Sequence, residues 1–171
     1  MKSYFDDWDQ FYMNMVYLIA LKSKDESTKQ GAVIVSPFNR VKSIGYNGLP
    51  RNVNDNIPER DERPKKYLYY EHAERNAIFN AETSLLGSTL YTNGCPCPRC
   101  ARAIIQVGII RVIYDKEWYE KDMEILKKYP DSWESGIFDS LEMFHEAGIV
   151  LKGIKVEKFI VPRRFRRGEV F

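Results

Sequence analysis

The sequence predicts a three-layer α/β/α domain built on a mixed five-stranded sheet. Two observations carry this. The apolar periodicity runs in the order helix, hairpin, then alternating helix and strand; and 171 residues are enough for one substantial core without a structural staple. One domain spanning 1–171 is therefore expected, with no internal repeat and no linker.

Trp8, Phe11, Tyr12, Met15, Leu18 and Ile19 recur at three- and four-residue steps, which predicts an amphipathic first helix over 8–21 with those side chains as its buried stripe. It ends in the polar run KSKDEST. Strands are expected at 31–36 and 41–46, joined by the turn Pro37-Phe38-Asn39-Arg40. In the stretch Gly45-Tyr46-Asn47-Gly48 the glycines permit a sharp turn or a close backbone approach to a ligand. The polar, proline-containing segment 49–66 reads as a long surface loop: a gate or lid, an inert insertion, or a subunit contact.

A helix over 71–82, a strand at 88–91, a helix from Pro98 to Val107 and a strand at 110–114 follow. Segment 116–132 is ambiguous between a lid-like loop and a broken helix. Ile137, Leu141 and Phe144 share a face of a helix within 133–147, and a last short strand is expected at 154–156.

Lys and Arg total 26 against 24 Asp and Glu, a net charge of +2, too even for a general polyanion binder. The concentrated basic run, Arg163, Arg164, Arg166 and Arg167 in a tail at 162–171, reads as a solubilising tail, a subunit or phosphate contact, or a nucleic-acid contact. The three cysteines fall within six residues, which does not suit a dispersed disulfide framework. No apolar run approaches the ~18 residues of a membrane span, and an acidic N-terminus is unlike a signal peptide. An intracellular protein is expected.

The chemistry concentrates in HAERNA at 72–77 and CPCPRC at 95–100. Proline fits the first helical turn, so Pro98 starts a helix and places Cys97 at or beside its N-cap. Cys97 and Cys100 then share one face near the positive helix end, where thiolates are stabilised and can hold a borderline-soft divalent ion such as zinc. His72 is the natural third ligand, since His145 lies far down the chain in an amphipathic helix. Three protein ligands leave a position open, as in catalytic zinc sites. Glu74 lies about 200° around a regular helix from His72. It need not bind the metal, and can take a proton from a metal-activated water and pass it on. Two other readings stand beside this one: a thiol–disulfide centre at Cys97-Pro98-Arg99-Cys100, which gives Glu74 no task, and a structural zinc with Cys95 as fourth ligand. Cys95, separated from Cys97 by one residue, is otherwise expected to be buried or behind the ligands.

His72, Glu74, Pro96, Cys97 and Cys100 match the H-x-E with P-C-x-x-C signature of zinc nucleobase deaminases. The stretches GAVIV, SIGYNGLP, EHAERNAIFNA and TLYTNGCPCPRCARAIIQVGIIRVIY, covering most of 31–114, resemble the cytidine and deoxycytidylate deaminase superfamily, and within it the deoxycytidylate (dCMP) deaminases of the bacteriophage type. The resemblance implies a cytidine-deaminase-like fold. It implies one catalytic Zn2+ on His72, Cys97 and Cys100, and Glu74 moving protons between the attacking water, ring N3 and the leaving amine. It further implies the backbone of Ala73 against the pyrimidine carbonyl, Asn47 on sugar or base, and Asn76 in the nucleotide-binding set or as a structural amide.

Phosphate or effector contacts are sought among Gly48, Arg51, Arg75, Arg99 and Arg102, with Lys65 and Lys66. The product would be dUMP, supplied to thymidylate synthesis. The resemblance also implies a homo-oligomer, a hexamer, raised in activity by dCTP, with Mg2+ accompanying that effector, and lowered by dTTP. It implies a cytoplasmic enzyme, in the host cytoplasm if phage-encoded, with no membrane and no nucleic-acid partner. A tRNA or other polynucleotide deaminase, and an enzyme for dCTP or 5-modified dCMP, are the alternatives. Relatives with a second zinc carry cysteines and histidines ahead of the H-A-E segment; none stands before His72 here, so no second zinc of that kind is expected.

Overall fold

Strand β1 (Gly31–Val35) is buried at every residue because it runs inside a sheet covered on both faces. Its alternate side chains supply two cores: Ala32 and Ile34 enter one, Val33 and Val35 the other. This computed structural model describes Phe5, residues 7–128 and 136–157, and the short strands at 165–166 and 169–170. The main sheet has the order β2-β1-β3-β4-β5, with β2 (Val41–Tyr46), β3 (Thr89–Thr92), β4 (Arg111–Asp115) and β5 (Val150–Ile154). β1 is antiparallel to β2 and β3, whereas β3, β4 and β5 are parallel, so the sheet is mixed and five-stranded as expected. The last strand lies earlier than the expected 154–156. β5 is an edge strand with no fully buried residue, so no burial alternation marks it, while Val156 packs as irregular chain into the core beneath β1.

Helix α1 (Trp8–Ala20) covers one face of the sheet. Its buried stripe is Asp9, Tyr12, Met13, Val16 and Ala20, and Trp8 and Leu18 are more than half exposed, so the stripe is rotated from the one the large side chains suggest. The reason is a close approach: a Cβ on Gly31 would sit 2.3 Å from the Val16 carbonyl oxygen, and only the smaller side chains of the helix fit against β1 there. Trp8 and Phe11 instead pack at the flank against the ring of the buried Tyr12.

On the opposite face lie α3 (Ala73–Phe79), α4 (Pro98–Gln106) and α6 (Gly136–Glu146), with Ala73, Ala77, Cys100, Ala101, Ile104 and Phe144 meeting Leu90 and Val112 of the sheet. The ambiguous 116–132 segment is helical over α5 (Lys116–Lys128), which starts where the Asp115 carboxylate accepts a hydrogen bond from the Glu117 N–H and buries none of its residues. Segment 129–135 lies outside the described residues. So do Arg163, Arg164 and Arg167; at Arg166 only the backbone is described, in the antiparallel pair β6 (Phe165–Arg166) and β7 (Glu169–Val170).

Between Gly48 and helix α2 (Lys66–Tyr69) the chain forms a 3₁₀ turn at Pro58–Arg60. Both ends of this long segment are pinned. Gly48 and Glu71 exchange two backbone hydrogen bonds, 3.0 and 2.8 Å. The buried Lys66 ammonium donates to Asp25 Oδ1 and Ser27 Oγ, each at 2.6 Å. Asp25 also accepts from the Ser27 and Thr28 N–H groups and from Asn47 Nδ2, so one carboxylate ties together the 23–30 loop, the turn after β2 and the start of α2.

Two outcomes follow for stability. Gly45→Ala places a Cβ 2.3 Å from both Ala73 O and Ala77 N, backbone atoms that cannot step aside. Denaturant unfolding should show a loss of at least ~1–3 kcal/mol, the range for overpacking, where a surface Gly→Ala change would be near neutral. Asp25→Ala strands a buried ammonium and should cost about 3–5 kcal/mol. Burial works to raise the Asp25 pKa, but hydrogen bonds from Lys66, Ser27 and Thr28 outweigh it and hold the pKa below 3.8. The carboxylate's contribution is therefore present above pH ~4 and is lost as pH falls through the folded-state value; thermal melts from pH 7 to 2 should show a smaller acid-induced drop in the variant than in the parent.

Candidate metal centre and active site

His72 is the N-cap of α3 and Cys97 the N-cap of α4, with Pro98 in the first turn. Both caps have extended backbone and neither uses its side chain to cap its own helix, which leaves the imidazole and the thiol to face a common point. Cys100, one turn into α4 and fully buried, completes the group. His72 Nδ1 lies 3.6 Å from Cys97 Sγ and 3.5 Å from Cys100 Sγ, and the three ligand atoms lie within 4.8 Å of one another. With zinc–sulfur and zinc–nitrogen bonds of about 2.3 and 2.0–2.1 Å, tetrahedral geometry requires an N···S separation of roughly 3.5–3.6 Å. The donor set and its spacing thus fit a single zinc ion, and among the described residues this is the one such cluster.

Three segments fix this convergence. Gly45 lets α3 lie directly on β2, as its absent side chain leaves room for Ala73 O and Ala77 N. The Gly48–Glu71 bridge holds the residue before His72. The Glu71 carboxylate then accepts from the His72 N–H at 3.0 Å and from the Arg75 guanidinium. Sequence reasoning passed over Glu71; its i,i+4 spacing to Arg75 was the signal available.

Proton affinities differ sharply across the group. A hydrogen bond from Cys100 and the neighbouring His72 together hold the Cys97 thiol down at about 3, against burial, which alone would raise it. The same bond, with burial, pushes Cys100 well above its ordinary value. Hydrogen bonding to Cys97 raises His72. Metal-free, the site therefore reads as a thiolate at Cys97 with the remaining protons on Cys100 and His72. Glu74, in the first turn of α3 and 6% exposed, has its proton affinity raised above that of an ordinary carboxylate, chiefly by burial.

Cys95 is buried and stands outside the ligand group; burial pushes its thiol up to about 12. A fourth sulfur ligand is thus absent from this cluster, and the structural-zinc reading loses its closing residue. The thiol–disulfide reading leaves the third convergent ligand, His72, without a role.

The other sequence-indicated residues divide. Ala73 is the first residue of α3, fully buried, and its N–H lacks an intrahelical partner. Asn47 sits at the end of β2, but its amide is committed inward: Nδ2 donates to Asp25 Oδ2 and Thr28 O, and Oδ1 accepts from the Gln30 N–H. Gly48 spends its N–H and C=O on Glu71. The close approach in this turn region is thus to a helix and a neighbouring segment. Lys66, sought as a phosphate contact, is buried against Asp25 and unavailable. Arg51 donates to Asn80 Oδ1 and Arg75 is paired with Glu71. Arg99 and Arg102 are exposed on α4. Asn76 Nδ2 donates to Tyr46 O at 2.8 Å.

An α/β/α domain in which two helix N-termini bring one imidazole and two thiols to a metal-sized gap, beside a buried non-ligating carboxyl, defines a metal-dependent hydrolytic deaminase. Comparison with known proteins agrees. The family described as "Cytidine and deoxycytidylate deaminase zinc-binding region" matches residues 6–116. A "Probable deoxycytidylate deaminase" of Drosophila melanogaster is 44% identical over 123 residues, covering 66% of this chain and 61% of that protein. "Deoxycytidylate deaminase" of Homo sapiens is 38% identical over 124 residues, covering 69% and 70%. An "Uncharacterized deaminase in luxG 3'region" of Aliivibrio fischeri is 38% identical over 142 residues, covering 83% and 90%. In fold, the chain is similar to the dCMP deaminase of cyanophage S-TIM5, solved with dCMP and dUMP, with a TM-score of 0.65 at 22% identity over 90% of this chain and 99% of that one. The chain belongs to the cytidine and deoxycytidylate deaminase family. Its chemistry is zinc-dependent hydrolytic deamination of a cytosine nucleotide. Among the described residues no helix is long and apolar enough to cross a membrane.

Because Cys100 and His72 hold protons that a metal must displace, zinc affinity should rise with pH. While only Cys100 is protonated, the association constant should increase about tenfold per pH unit; below the raised His72 value, above 6.5, it should increase more steeply, as two protons leave. Competition titrations with a chromophoric chelator at several pH values would measure the slope.

Proposed function

We propose that the protein converts dCMP and water to dUMP and ammonia, supplying dUMP for thymidylate synthesis, with His72, Cys97 and Cys100 holding one zinc ion per subunit and Glu74 moving the protons. The observation that carries the reading is the pairing of a three-ligand, zinc-spaced cluster with a buried carboxyl that is not part of it. The names of the fly and human relatives support deoxycytidylate as the substrate.

Zinc bound at the three ligands supplies the Lewis acidity that makes water a nucleophile near neutral pH. Glu74, whose raised proton affinity favours taking a proton, accepts the one released as the water oxygen bonds to C4 and holds it until ring N3 gains basicity and takes it. As the tetrahedral carbon collapses, Glu74 takes the remaining proton from the new C4 hydroxyl and passes it to the amine; the C4–N bond breaks, ammonia departs, and the hydroxyl oxygen is left as the C4 carbonyl of the uracil ring. The Ala73 N–H, free of intrahelical pairing, is the donor suited to the pyrimidine carbonyl. One lone pair of Asn47 Oδ1 remains for a sugar hydroxyl once its inward bonds are counted. Arg99 and Arg102, exposed on α4, are the cations open to a phosphate, with Arg75 held ready by Glu71.

On the same reading the enzyme is a cytoplasmic homo-oligomer, a hexamer, activated by dCTP with Mg2+ and inhibited by dTTP. Exposed Leu68 and Phe79, on α2 and α3, are apolar surface that subunit contact would cover.

Glu74→Gln should retain zinc by elemental analysis while ammonia release falls by about 10²–10⁴, the usual contribution of a positioned acid–base group. Ammonia release from dCMP, dCTP, deoxycytidine and cytidine, each with and without added dCTP or dTTP, should show dCMP preferred. No release from any cytosine substrate would defeat the proposal, and turnover indifferent to the phosphate would make this a nucleoside enzyme.

A further inference from the structure

Strand β2 is the outer strand of the sheet, so half of its backbone polar groups face away from β1. The Asn47 N–H donates to Gln30 O at 3.1 Å, which makes 30 and 47 a hydrogen-bonded pair. In an antiparallel ladder bonded and non-bonded pairs alternate, so Gly45 opposite Ala32 is bonded, whereas Tyr46 opposite Gly31 and Ile44 opposite Val33 are not. The carbonyls of Ile44 and Tyr46 therefore point off the sheet edge. Both are met by asparagines of the helical segment beside them: Asn76 Nδ2 donates to Tyr46 O at 2.8 Å and Asn80 Nδ2 to Ile44 O at 2.9 Å.

The spacings match. Two residues along a strand span about 6.7 Å, and four residues along a helix about 6 Å with both side chains on one face. Two asparagines one turn apart can thus grip two successive outward carbonyls with helix and strand antiparallel. Between them, the Ser43 hydroxyl donates to Ala77 O and Gly45 admits the helix backbone, so the polar grip brackets the closest point of the seam. The helix so held carries His72 at its N-cap and Glu74 in its first turn.

We propose that Asn76 and Asn80 are positioning residues that dock α3 on the β2 edge and thereby set His72 and Glu74 against Cys97 and Cys100. Asn76 then acts through the backbone of Tyr46 rather than by touching the nucleotide. Asn80 is the decisive member, since it lies eight residues, about 12 Å along a helix axis, from His72 and cannot reach a substrate at the metal. The inference rests on the metal-centre reading above and extends it.

The test combines Asn76→Ala, Asn80→Ala and Asn80→Asp, the last keeping size while removing the amide donor. Zinc is removed, and Co2+ binding to the metal-free protein is titrated by the visible d–d bands of the tetrahedral complex; kcat and KM for dCMP are measured on the zinc form. All three variants should bind Co2+ about 10–100-fold more weakly, the range seen when partners that orient a ligand are lost, and lower kcat while KM stays within about twofold of the parent. Unchanged Co2+ affinity in both Asn80 variants would overturn the proposal. So would Asn76→Ala with a raised KM and unchanged Co2+ affinity, which would make Asn76 a direct nucleotide contact. Parent protein that binds Co2+ tightly but releases no ammonia would defeat the substrate assignment alone, and the Co2+ comparison would still decide the positioning role.

Discussion

The structure depends on a side chain that is missing. At Gly45 the backbone of β2 meets the backbone of α3 at a distance no Cβ could share, and the carbonyl of Ala73 and the N–H of Ala77 occupy that space. Everything that His72 and Glu74 do follows from where α3 is set down. A helix of seven residues has little stability of its own, so its position must come from its seat. Small residues supply the seat: Ala73 and Ala77 face the sheet and are fully buried. The hydroxyl of Ser43 and the bridge between Gly48 and Glu71 then remove the remaining freedom to slide or turn.

The same economy explains the polar cluster at Asp25. An interior carboxylate and ammonium are costly to desolvate, and the pair is tolerable because both carboxylate oxygens and the ammonium find partners. Asp25 takes hydrogen bonds from Lys66, Asn47, Ser27 and Thr28, and Lys66 adds the face of the Tyr70 ring. The cluster fastens both ends of the long 49–66 segment, so the chain can leave β2 and return to His72 without disturbing either. A segment pinned at its two ends in this way is poorly suited to swing as a rigid gate; its charged body reaches solvent while its ends stay fixed.

Much of this was legible in the residues. Proline at 98 fixed a helix start, and the start fixed Cys97 as N-cap; the hairpin, the central strands and α4 fell near their expected places because alternation and turn chemistry act locally. The phase of α1 was not legible, since the largest side chains normally mark the buried face, and here a glycine in the facing strand draws the helix in at Val16 and Ala20. Nor was β5, an edge strand that buries too little to alternate. At the site, ligand identity followed from chemistry and spacing, but the employment of polar side chains did not. Asn47, Asn76 and Lys66 each have the functional group of a nucleotide contact, and each already spends hydrogen bonds on the protein's own backbone or buried charge. Only the fold reveals which partner reaches an amide first.

What separates a catalytic from a structural metal site is the fate of the fourth position, and here three environments decide it. His72 is exposed at the rim, whereas Cys100 and Glu74 are buried, so the centre is approached from the imidazole side with the carboxyl set in the wall. Closing the tetrahedron would need a further deprotonated ligand on that side. Cys95 is the nearest in sequence, but its thiol is held protonated by burial, at about 12, and its sulfur stands outside the group. Cys97, by contrast, has its sulfur within the group and its thiolate stabilised at about 3. A zinc ion held by His72, Cys97 and Cys100 would therefore keep one position free of protein ligands, where it would activate the water that the reaction consumes.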